Sequence, residues 1–173
     1  MTAKARASIL LKVHHLISES ADELAEIIMK EHGKNRAEAL AEIAKGLETV
    51  EYAASIPQLI SGRIQEVSRG VYCQDRRDPL GVVVSIVPFN FPAMVPLWTI
   101  PIALACGNCM ILKPSEKVPV TMSKIIQLFT KAGLPNGVFQ IINGTKDAVE
   151  ALCDHPKVRA VTFVGTTRYE QNF

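Results

Sequence analysis

Cysteine is scarce in this 173-residue sequence, at four residues, and net charge is nearly absent, at +2 from 19 Lys and Arg against 17 Asp and Glu. Thiols so thinly spread do not make the dense pairing of a small secreted module, so the chain reads as an intracellular, reduced protein. The weak charge removes any general electrostatic case for nucleic acid or an acidic membrane surface. The sequence has no internal repeat, low-complexity tract or GxGxxG loop, and the opening MTAKARASILLKVHH has too short an apolar core for a signal peptide or an anchor. What it does have is apolar residues, 48% of the total. That fraction excludes disorder and suffices to bury a sizeable core in one domain, or one domain with an appendage.

Residues 1–56 read as a helical segment. Ile9, Leu10, Val13, Leu16, Ile17, Leu24, Ile27 and Ile28 recur at helical spacing, with charged residues on the other face. Ser20 with Glu23 has the form of a capping box and predicts a break between two helices. Gly33 supplies a stop. Asn35, with Glu38 three residues on, predicts the cap of a further helix that places Leu40, Ile43, Ala44, Leu47 and Val50 on one face. Residues 57–79 form a linker or hairpin, because IQEVSRGVYCQDRRDP alternates around Gly70. Within it, Arg76, Arg77 and Asp78 read as a solvated face or a local ion pair, unless Arg77 reaches a ligand.

From residue 80 the pattern changes. LGVVVSIV is a short β-branched run suited to a strand buried on both faces of a parallel sheet. It is followed by a helical FPAMVPLWTIPIALACG, a strand NCMILKP and a helix VTMSKIIQLFTKAG. A strand VFQII, a helix TKDAVEALCDH and a strand VRAVTFVG complete the series. Four strands with three crossovers predict an α/β fold, an incomplete doubly wound parallel sheet of Rossmann-like type, preceded by the helical segment. Residues 80–112 contain no charge and are long enough to span a membrane. Four prolines and two asparagines in that run, and a periodicity that switches from strand to helix and back, point instead to a buried strand–helix–strand.

Several side chains could carry chemistry. Cys106 and Cys109, in CGNC, follow an apolar helix and precede a strand, so the nearest helix end is negative, the reverse of the setting a redox pair uses. They read as buried structural thiols. Asn90 lies in Val87-Pro88-Phe89-Asn90-Phe91-Pro92, at the carboxyl end of the first buried strand, where open α/β sheets gather ligands. Two readings stand there: a rigid amide donor, shielded from water, that stabilises an oxyanion, or a turn asparagine bonding its own backbone. Lys113-Pro114-Ser115-Glu116 closes the second strand, where a carboxylate can accept both ribose hydroxyls and a lysine can donate to the sugar or a phosphate. The alternative is a charged, solvated loop. Gly165-Thr166-Thr167 closes the fourth strand and can offer backbone donors to a pyrophosphate.

In order, PFNFP, a proline-containing helix, GN, a strand, KPSE, AGLPNGV and FVGTT resemble the NAD-dependent aldehyde dehydrogenase superfamily across about residues 3–168. EHGK and the acidic-alanine helix after it are similar to that family's N-terminal region. Phe89, where most members have tryptophan, and FNFPAMVPLW look closest to its CoA-acylating, methylmalonate-semialdehyde branch.

The resemblance implies an enzyme that oxidises a small aldehyde with NAD and passes the acyl group to coenzyme A, or to water in the non-acylating members. It makes residues 80–173 part of the NAD-binding domain. It assigns Asn90 to the oxyanion, Lys113 and Glu116 to the adenine ribose, and Ser115 to a place near that ribose. Ile86, Val87, Pro88 and Phe89 would lie beside the cofactor, Gly144 at the edge of the adenosine pocket, and Gly165 and Thr166 at the pyrophosphate. The family's nucleophilic cysteine, in a Gly-Gln-x-Cys setting, and its base glutamate are expected beyond residue 173, and Glu170 stands where a helix glycine is expected. The sequence therefore reads as a truncated product, inactive alone. The complete enzyme would be a homo-oligomer, dimer or tetramer, in the cytoplasm or mitochondrial matrix, with no nucleic-acid or membrane partner. A catalytically inactive fragment that binds nucleotide or a parent subunit is the reading from another class.

Overall fold

The computed structural model describes residues 1–166. Thr167, Glu170 and the helix expected after the fourth strand lie outside the described residues.

Three helices form the first layer: α1 (Ala3–Glu19), α2 (Ala21–His32) and α3 (Arg36–Leu59). The break at Ser20 falls where expected, but no capping box makes it. The Ser20 side chain bonds to no helix N–H, and its own N–H closes α1 on the Leu16 and Ile17 carbonyls. Glu23 is drawn away instead, pairing with Lys124 at 2.6 Å. Gly33 ends α2 at φ 86°, a conformation glycine adopts without steric cost, and Asn35 Oδ1 accepts the Glu38 N–H at 2.9 Å.

Two features of α3 differ from the sequence reading. It continues through Pro57 to Leu59, since a proline in the last turn removes a single backbone bond. Its buried stripe runs through Ala39, Glu42, Ile43, Gly46 and Val50, with Ala44 exposed and Leu40 and Leu47 half-buried. The stripe turns because α3 meets α4 through Gly46, where an added Cβ would come within 2.7 Å of Leu97 Cδ1.

An antiparallel hairpin follows, β1 (Arg63–Ser68) and β2 (Val71–Asp75), exposed along both strands and turning at Gly70. Beyond it Arg76 pairs with Asp78 at 2.8 Å, with both side chains in solvent, and Arg77 is exposed.

The sheet is parallel throughout, with β3 (Val82–Ile86), β4 (Cys109–Lys113), β5 (Phe139–Ile141) and β6 (Val158–Phe163) in the order β5-β4-β3-β6. Helices α4 (Met94–Ala105), α5 (Val120–Lys131) and α6 (Lys146–Cys153) make the crossovers. The unbroken apolar run of β3 has a direct cause. Val83 joins the large core shared with the helical layer, and Val84 and Ile86 join the cluster that includes Val149 and Leu152 of α6. Both faces are covered, so no position along the strand is free to be polar except Ser85, whose hydroxyl meets that of Thr99 at 2.9 Å. The chargeless run is thus β3, α4 and the beginning of β4, and no helix among the described residues is long and apolar enough to cross a membrane. Cys106 and Cys109 are free and half-buried rather than fully buried, because they sit at the rim where α4 turns into β4.

Candidate functional site

The first strand of the parallel sheet, β3, has β4 on one side and β6 on the other. The chain winds outward from β3 to β4 and β5 and then crosses back to β6 on the other side of β3, and a reversal of this kind opens a crevice at the carboxyl ends of the strands in doubly wound sheets. Such a cleft is present, with a volume of about 480 Å³.

The cleft gathers most of the residues singled out in the sequence. Ile86, Val87, Pro88 and Phe89 contribute from the end of β3. Lys113, Ser115 and Glu116 contribute from the end of β4, and Gly165 and Thr166 from the chain beyond β6. Backbone bonds carry the sheet into this rim: Val87 N–H donates to the Lys113 carbonyl at 3.2 Å, and Val164 N–H to the Ile86 carbonyl at 3.1 Å. Gly165 is confined by the Phe163 ring, which an added Cβ would approach to 2.4 Å.

At the end of β4 the buried Lys113 ammonium pairs with Glu116, Nζ to Oε2, at 3.1 Å. The charged loop is therefore not simply solvated. The Glu116 carboxyl is held below its ordinary value, first by its own backbone N–H and, against some desolvation, by the neighbouring Lys113 ammonium. Ser115 is buried, and its hydroxyl accepts the Lys117 N–H at 3.3 Å, fixing the turn. Phe89 is flanked by the His32 ring, 6.4 Å between centroids, and by the Lys117 ammonium, 4.6 Å from its centroid.

Gly144 and Asn90 are not part of the cleft wall. Gly144 packs against the start of α6, where a Cβ would come within 2.6 Å of Ala148 Cβ, and the next residues, Thr145 and Lys146, do line the cleft. Asn90 is exposed, contrary to the shielded setting expected of it, as are Phe89 and Phe91 on either side in the loop beyond the carboxyl end of β3. Nor is it a self-bonded turn. Among the described residues the Asn90 side chain makes no hydrogen bond, and its backbone carbonyl accepts one from Lys34 at 3.0 Å.

The sequence reading missed Lys117 and Lys146, which bring positive charge to the cleft, and Phe163 and Val149, which supply its apolar wall. It also missed Lys34 and Glu42, which hold the Asn90 loop from the helical layer. Periodicity did not flag Glu42, because the buried stripe of α3 that it shares with Ala39 and Ile43 is not the face the sequence pattern indicated.

A parallel sheet with its cleft at the reversal of strand order defines a doubly wound α/β protein. The sequence profile of the Aldehyde dehydrogenase family matches residues 1–172, and the chain belongs to that family. Malonate-semialdehyde dehydrogenase of Lacticaseibacillus casei is 48% identical over 164 residues, covering 94% of this chain and 33% of that protein. Methylmalonate-semialdehyde dehydrogenase of Oceanimonas doudoroffii superimposes with a TM-score of 0.98 at 43% identity, over 99% of this chain and 36% of that one. A protein of Sinorhizobium meliloti 1021 assigned as a methylmalonate-semialdehyde dehydrogenase, solved with NAD, gives 0.97 at 39% identity, over 99% and 35% of the two chains. The chain thus spans about a third of the length of the relatives it matches.

Proposed function

We propose that this chain is the N-terminal and cofactor-binding part of an NAD-dependent dehydrogenase that oxidises a malonate- or methylmalonate-type semialdehyde to an acyl-CoA. The observation that carries the reading is the convergence of the Lys113–Glu116 pair and the Gly165–Thr166 turn on one cleft at the sheet reversal. These groups fit a dinucleotide. A carboxylate kept ionised suits two ribose hydroxyls, a buried ammonium orients that carboxylate, and a glycine turn lets backbone approach a pyrophosphate. NAD, when bound, accepts the hydride from the substrate. Asn90, beside the cleft on the β3 loop, donates its side-chain N–H to the oxygen that becomes negative when the aldehyde is attacked. Ile86, Val87 and Pro88 supply an apolar wall that excludes water from the same rim.

A second reading is favoured by the thiols. Cys73 lies on the exposed hairpin, Cys106 and Cys109 lie at the opposite end of the sheet, and Cys153 closes α6. None lines the cleft, so no described residue supplies the attacking thiolate, and a chain that binds nucleotide without turnover would look the same.

The test is to express the whole reading frame that carries this sequence and supply malonate and methylmalonate semialdehydes with NAD. NADH formation that requires coenzyme A and yields a thioester supports the proposal. NADH with free acid as product identifies a non-acylating member. NAD binding with no NADH from any aldehyde establishes the second reading.

A further inference from the structure

The loop that carries Asn90 is bound less to the sheet than to the helical layer. Pro88 and Pro92 have no N–H to donate, and the Asn90 carbonyl is fixed by a side chain from 56 residues earlier. That side chain, Lys34, reaches out of the turn between α2 and α3. Its ammonium makes three contacts: an ion pair with Glu42, a hydrogen bond to the Asn90 carbonyl at 3.0 Å, and the face of Phe91 with 4.5 Å to the ring centroid. Both partners of the ion pair are buried, with side chains 6% and 1% exposed. Glu42 in turn accepts the Ala93 N–H at 2.9 Å and the Met94 N–H at 3.4 Å, at the amino end of α4.

A buried ion pair returns little net stability, because removing two charges from water offsets most of their attraction. What this one does is geometric. It grips the Asn90 segment at two places, the carbonyl of Asn90 itself and the first amides of the helix that follows. The Asn90 side-chain amide makes no hydrogen bond of its own among the described residues, so what the protein fixes is the backbone from which that amide projects.

We propose that Lys34, held by Glu42, is a positioning residue that fixes the backbone from which the Asn90 amide reaches the oxyanion. The inference rests on the reading of Asn90 given above. It assigns to the helical layer a part in the chemistry at the carboxyl end of the sheet. Misplacement of a donor by about 1 Å can cost roughly 100-fold in rate, so a loss of this order is expected without direct contact between Lys34 and substrate.

The test is a double-mutant cycle in the protein expressed from its whole reading frame, with kcat and the NAD dissociation constant both measured. Asn90→Ala is expected to lower kcat by about 10²–10³-fold, the usual loss for one oxyanion donor. Lys34→Met is expected to lower kcat by about 10- to 100-fold with NAD binding unchanged. On the Asn90→Ala background, Lys34→Met is expected to add nothing further. Should Lys34→Met not fold, Glu42→Gln takes its place in the cycle with the same expected outcome, since it keeps an oxygen for the Ala93 N–H while removing the charge opposite Lys34. An equal loss on both backgrounds, a loss shared by NAD binding, or no loss in the single variant overturns the positioning role. Full turnover by Asn90→Ala overturns the reading of Asn90 itself, and the inference with it.

Discussion

Lys113 and Glu116 stand 3.1 Å apart, Nζ to Oε2, with the lysine side chain 7% exposed and the glutamate 52%. The difference is informative. The ammonium at the end of β4 is enclosed by the protein, and the carboxylate it orients is presented to the cleft, where it keeps acceptor capacity for a second partner.

Glu116 is expected to set the choice between NAD and NADP. A carboxylate that accepts two ribose hydroxyls repels a 2′-phosphate in the same place. Glu116→Gln should weaken NAD by about 10- to 100-fold, the worth of hydrogen bonds to a charged group, and should narrow the gap to NADP. Titration calorimetry with both dinucleotides measures this, and equal affinity in the unaltered protein would remove the assignment.

The same carboxyl gives a pH dependence of known sign. Its folded-state value lies below the ordinary 4.5, so its contribution to stability is present above that pH and is lost as pH falls through the lowered folded value. The difference in Tm between the unaltered protein and Glu116→Gln should hold steady from about pH 9 to about pH 5 and shrink under more acid conditions. A difference that grows on acidification would contradict the direction of the shift.

Thiol reactivity should follow burial and charge. Cys73 is exposed on the hairpin, whereas burial, and then the neighbouring Asp154, push the Cys153 thiol up. Thiolate is the reactive form, so iodoacetamide at about pH 8 should modify Cys73 well before Cys153. Peptide mapping of a time course gives the order directly.

In the core, Phe129 of α5 is fully buried and meets the Phe139 ring edge-on, 5.3 Å between centroids. Phe129→Ala should cost about 3–5 kcal/mol, measured by urea unfolding, because both packing and an aromatic pair are lost. A loss below about 1 kcal/mol would mean that the space under α5 collapses freely.

Much of this was legible in the sequence. The β-branched run of β3 read as a strand covered on both faces and is one, and the residues at the carboxyl ends of β3, β4 and β6 converge on one cleft. What escaped was settled by partners far along the chain. Glu23 completes a local capping pattern on paper but is claimed by Lys124, about a hundred residues later. The face of α3 is turned by the fit of Gly46 against Leu97, which no helical periodicity encodes. Glu42 looks like solvent-facing charge until Lys34 and the amino end of α4 arrive around it. Local patterns name elements; only the packed chain reveals which charges are spoken for.

The contacts that tie the helical layer to the sheet also impose an order in time. Glu42 must wait 51 residues for Ala93, Lys34 must wait 56 for Asn90, and Glu31 must wait 90 before it can accept the Thr121 N–H. On a ribosome adding roughly 5–20 residues per second, the last of these delays is about 5–20 s. By the time Leu59 is added α1, α2 and α3 are all made, while β3 does not begin until Val82, so the newborn helices meet the cell before they meet their sheet.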